Sequence, residues 1–132
     1  MNDLIGRFKK IELEISQEKG EVNLFALFLR EDALDQWDVL IASAWAEKDK
    51  KSTLAYLAGK IQKNFTPSEL VQLSRIVIID TNNPALPSIN QAIQINHGSI
   101  EIQNSNFFGL EIKHAHIITS QSLIAQELLP AA

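Results

Sequence analysis

His114-Ala115-His116 sets two imidazoles two residues apart. On a β-strand both would project from one face. Such a pair can bind zinc once a third ligand joins it, and His97 or Asp80 is the candidate for that place. A plainer reading competes. A regular strand puts both histidines on the face of Phe108, Leu110 and Ile112, where a core imidazole is ordinarily satisfied by backbone groups. Just upstream, Glu111-Ile112-Lys113 spaces a carboxylate and an ammonium in the same way. With Asp80 on a neighbouring strand, Glu111 could hold magnesium while Lys113 steadies an attacking water. The plainer reading there is a solvated cross-strand ion pair. Trp37 and Trp45 fall on one face of a predicted strand with Val39 and Ile41, as a packing surface or a platform for stacked bases. No cluster of Lys and Arg accompanies them, so packing is favoured. Lys48-Asp49-Lys50-Lys51 is too short and too mixed in sign to be a nucleic-acid arm.

These groups act only if the chain positions them. Leu4, Phe8, Ile11 and Ile15 recur at three- and four-residue spacing, which predicts an amphipathic helix capped by Asn2 or Asp3 and stopped at Lys19-Gly20. Val22 to Arg30 is apolar almost throughout, as suits a strand buried on both faces. An Asp-rich link leads to an alternating strand from Trp37 to Trp45, and the shortness of the link predicts an antiparallel pair. Ser52 is the expected cap of a helix running to about Asn64. Thr66-Pro67-Ser68-Glu69 is a capping box with proline at the first helical position. Arg75 to Asp80 is the strongest strand signal, a β-branched run too short for a helix. Pro87-Ser88 predicts a short helix through Ile93; the alternative is a strand at Ile93 and Ile95 that turns at His97-Gly98 into Ile100-Glu101-Ile102. Phe107 to Thr119 reads as the last strand, with a turn of helix in the tail between Leu123 and Leu129. The expected fold is α+β: one domain over residues 1–132, with a mostly antiparallel sheet of about five strands and three to four helices on one face. Phe8, Phe25, Leu27, Val39, Ile41, Leu57, Ile76 and Ile78 are its expected core.

Composition narrows the function classes. The 132 residues are 45% hydrophobic and 21% charged, which fits a globular domain and not a disordered chain. Cysteine is absent, so disulfides, thiol nucleophiles and sulfur-based zinc sites are excluded. A net charge of −4 does not favour nucleic acid as a partner. No apolar run approaches the roughly 20 residues of a membrane span, and Met1-Asn2-Asp3 does not begin a signal peptide, so no membrane association and a cytoplasmic location are expected. Charge is unevenly shared. Residues 1–66 hold 21 of the 28 charged side chains and residues 67–132 hold 7, with Asn and Gln as the polar groups of the second half.

The segment Leu24-Phe25-Ala26-Leu27 through Trp37-Asp38-Val39-Leu40-Ile41 resembles the start of a minimal nucleotidyltransferase domain, a likeness of element order that covers about residues 3–80. In that family a Gly-Ser pair follows the first strand, an Asp-x-Asp pair on the second holds magnesium, and a third carboxylate lies on a later strand. Here Ala26-Leu27 stands at the Gly-Ser position and Gln36-Trp37-Asp38 at the Asp-x-Asp position. The resemblance therefore implies Asp38 as a lone remnant, with Asp80 as the third carboxylate. Glu111 and Lys113 are similarly spaced to the pair of Glu-x-Lys nucleases.

With the motif incomplete, the sequence points to a non-catalytic interaction or regulatory domain that needs no cofactor and acts through its charge-poor second half. The expected partner is a second copy, as a homodimer, or another protein. Ile100, Ile102, Phe107, Phe108 and Leu110 are the expected interface, because strands without Lys, Glu or Pro guards tend to associate. The alternative is a metal-dependent phosphotransfer enzyme of the nucleotidyltransferase or nuclease kind, built on Asp38, Asp80, Glu111 and Lys113.

Overall fold

A computed structural model describes residues 2–32 and 35–122. Among these the order is α1 (Asn2–Lys19), β1 (Leu24–Arg30), β2 (Trp37–Ala42), α2 (Ala44–Lys48), α3 (Lys50–Asn64), α4 (Pro67–Leu70), β3 (Leu73–Ile78), α5 (Ala85–Ala92), β4 (Ile100–Phe107) and β5 (Leu110–Ser120). The strands form one sheet in the order β3-β2-β1-β5-β4. Only β2 and β3 run parallel, and helices α2 to α4 supply the crossover that a parallel pair needs. The other pairings are antiparallel. The fold is thus α+β with a mostly antiparallel five-stranded sheet.

β1 is apolar because it is central, with neighbours on both edges and helices on both faces. Phe25, Leu27 and Leu29 join Val39 and Ile41 under α1 and α3, where Phe8, Ile11, Ile15 and Leu57 complete the core. Leu24, Ala26 and Phe28 face the other way, against Leu86 and Ile89 of α5 and against Ile112, Ala115 and Ile117. Helices therefore cover both faces of the sheet and not one. The β-branched run of β3 lies at the sheet's edge, so Ile76 and Ile78 are only half-buried. Propensity had marked a strand correctly but says nothing of its place in the sheet.

Local chemistry corrects several boundaries. β2 ends at Ala42, since Ser43 caps α2 by accepting the Ala46 N–H, and Trp45 consequently sits on a helix and not beside Trp37. Asp49, one turn before Ser52, caps α3 by accepting the Ser52 N–H. Asn2 and Asp3 already lie within α1. The capping box at Thr66 and Glu69 is formed as expected. Between residues 85 and 102 both alternatives are partly realised: α5 occupies Ala85–Ala92, Ile95 then bridges to Ser120, and β4 starts at Ile100. The stretch from Phe107 to Thr119 is not one strand. Phe107 pairs with Leu110 across Phe108 and Gly109, both at positive φ (55° and 76°), which is a tight hairpin turn. The tail segment Leu123 to Leu129 lies outside the described residues.

Candidate metal centre

The hairpin turn fixes the β4–β5 register so that Glu101 stands opposite His116, and Gln103 opposite His114. On its other side β5 pairs with β1, and there Leu29 faces His114 while Arg30 faces Ile112, which leaves Lys113 as an extra residue. That bulge reverses the alternation. Ile112 points to the α5 face with Ala115 and Ile117, whereas His114 and His116 line up with Leu29 and Leu27 on the α1 face. A bent β4 accompanies it, with Asn104 at φ 52°. The histidines thus share neither the face of Ile112 nor the ordinary surroundings of a core imidazole.

Glu101, His114 and His116 bring one carboxylate oxygen and two ring nitrogens within 4.8 Å of one another. The two rings stack, with centroids 5.0 Å apart and planes 20° apart. Trp37 covers both, at 5.8 Å from His114 and 5.4 Å from His116. His114 Nε2 is hydrogen-bonded to Glu101 Oε2. His116 Nε2 stands 3.8 Å from the same oxygen, beyond hydrogen-bonding distance. His116 is 8% exposed, and this nitrogen has no hydrogen-bond partner among the described residues. Burial, and then the neighbouring His114, push the His116 imidazole below its ordinary pKa. At neutral pH it is uncharged, the form in which imidazole ligates metal. Ligands at about 2.0–2.2 Å from a tetrahedral ion lie roughly 3.3–3.6 Å apart, so modest side-chain rotation would close the set. Two imidazoles and one carboxylate suit zinc and its transition-metal neighbours better than magnesium or calcium, which prefer all-oxygen shells.

His97 is not part of this set. It sits at φ 55° and turns to α1, where its Nδ1 meets Glu12 Oε1 at 2.5 Å. Glu12 is fully buried, and its other oxygen accepts from Ser16 Oγ and Thr119 Oγ1 at 3.0 and 2.9 Å. Burial opposes the charged imidazole. The hydrogen bond to Glu12 and the charges of Glu12 and Glu21 outweigh it, and His97 is held above its ordinary pKa.

The acidic candidates do not converge. Asp38, 2% exposed, faces α5's side of the sheet, and its Oδ2 accepts from Arg30 Nε at 2.7 Å and lies 3.3 Å from Arg75 Nε. Its Oδ1 has no partner among the described residues. Asp80 follows β3 near the Ala42 end of β2 and pairs with Lys50 at 2.9 Å. Glu111 and Lys113 are exposed at the opposite end of the sheet, beside Glu31, with Glu111 accepting from Asn106 at 3.3 Å. Of the expected interface residues, Ile102, Phe107 and Phe108 pack against the core under α5, Ile100 is half-buried, and Leu110 is exposed.

The third candidate ligand, Glu101, is hidden from a sequence reading that treats residues 107–119 as one strand, because the hairpin is what brings it to His116. The signal that could have found it is Phe108-Gly109, whose glycine is a turn residue between two alternating runs. Compared with protein-family models, curated proteins and solved structures, the chain matches none.

Proposed function

We propose that this chain is a binding module that takes one divalent transition metal, of the zinc class, on Glu101, His114 and His116. The observation that carries the reading is the buried Nε2 of His116, which has no partner among the described residues and stands beside a carboxylate already bonded to His114. A buried polar atom without a partner costs about 1–3 kcal/mol, and a metal ion would convert that cost into a ligand bond. Isothermal titration with zinc tests it. One ion per chain is expected, with binding lost in His114→Ala and His116→Ala and kept in His97→Ala. No uptake, or equal uptake by all of these proteins, overturns the reading. Phosphotransfer of the nucleotidyltransferase or nuclease kind has less support, because Asp38 is engaged by two guanidinium groups while Asp80 and Glu111 lie at opposite ends of the sheet.

A second reading, homodimer formation, is supported by the outer edge of β4, which no other described strand pairs. That strand is last in the sheet, and its sequence holds no Lys, Arg or Pro to discourage pairing.

A further inference from the structure

Resting on the metal reading, we propose that the centre is a site for a small organic carboxylate, bound at the metal's remaining position and paired with Lys9. The three donors come from two adjacent strands on one face of the sheet. A tetrahedral ion held by three protein donors would keep one further position. A pocket of about 360 Å³ borders two of the three donors, lined by Ile5, Gly6 and Lys9 of α1 with Ser99, Glu101 and His116. That volume is at the lower end for ligand sites, which selects a ligand of few heavy atoms.

Charge selects its sign. A divalent ion with one carboxylate and two neutral imidazoles carries a single net positive charge, and the Lys9 ammonium adds another. An anion balances both, with ammonium and metal on either side of it. The wall selects its character: Ile5 offers an apolar surface for a short alkyl chain, which a bare phosphate could not use. Gly6 lines this pocket, and a Cβ built there meets no atom within 4 Å. A larger side chain at Gly6 could therefore enter the space without displacing its neighbours, and replacing glycine within a helix favours the helix.

The experiment uses the full chain loaded with Co²⁺, whose visible spectrum reports the coordination sphere, and butyrate as the probe. Co²⁺ uptake that depends on His116 is the first arm; its absence removes the metal reading and the carboxylate site with it. In the second arm butyrate should change the spectrum saturably. Lys9→Gln should weaken butyrate binding about three- to tenfold, and Gly6→Leu should abolish it, both with Co²⁺ affinity unchanged. Normal Co²⁺ uptake with no response to butyrate, equal butyrate binding by Lys9→Gln, or phosphate binding tighter than butyrate would overturn the carboxylate site and leave the metal reading standing.

Discussion

Trp37 gives the proposed centre an internal reporter, because its indole lies against both imidazoles. Trp45 is elsewhere, edge-on to Tyr56 at 6.4 Å with its N–H donating to the Gly20 carbonyl. A quenching ion such as Cu²⁺ bound at the centre should therefore darken Trp37 and spare Trp45. Titrating the fluorescence of the native chain and of Trp37→Phe checks this; equal fractional quenching in both would place the ion elsewhere. Asp38 makes a different residue-scale case. It is buried, with Arg30 and the half-exposed Arg75 against one oxygen. Removing the carboxylate leaves the two guanidinium groups facing each other with only the exposed Asp32, 2.9 Å from Arg30, as a counter-charge. Arg75's exposure screens part of that repulsion, so Asp38→Ala should cost roughly 2–3 kcal/mol in urea denaturation. A loss below about 0.5 kcal/mol would show that the pair contributes nothing.

Helix α1 is fastened to the sheet through one buried acid. Glu12 links it to Thr119 of β5 and to His97 in the segment before β4. His97 has a raised pKa in the folded chain, since its interactions with Glu12 and Glu21 outweigh its burial. Its stabilising contribution is therefore complete below the unfolded value, about pH 6.5, and is lost as pH rises through the raised folded value. Urea midpoints measured from about pH 5.5 to 8.5 should fall in the native chain relative to His97→Asn across that window. Parallel pH profiles for the two proteins would exclude this role for His97. The same elements show what a sequence carries and what it does not. The apolar stripe of α1 and the capping box at Thr66 are set by neighbours in the chain, and the structure has both where the spacing puts them. The face taken by His114 depends on a bulge at Lys113, which arises where β5 must match β1 and β4 at once. Periodicity assumes a regular strand, so it cannot register an extra residue. Likewise, nothing within Arg75 to Asp80 reveals that β3 is an edge strand.

At the scale of the molecule, the sheet has two ends and they are finished differently. β3 exposes Arg75 at one edge, and a charged side chain there discourages a further strand. β4 exposes Gln103, Asn104 and Asn106 at the other, with Glu101 as its one charged residue. If that residue is engaged by the histidines and a metal, it is also withdrawn as a guard. Pairing of β4 with β4 of a second copy about a two-fold axis would satisfy at once the two edges that no described strand pairs. Light scattering after size exclusion at tens of micromolar should then give twice the chain mass. Gln103→Lys with Asn106→Lys should return it to the mass of one chain, since two ammonium groups per edge would meet their counterparts across the axis. These positions suit the test because both side chains are exposed, whereas Phe107 stacks on Phe28 at 5.1 Å and its loss would damage the core. A single-chain mass for the native protein, unchanged on raising its concentration tenfold, would rule the dimer out. A dimer that survives both lysines would place the contact on another surface.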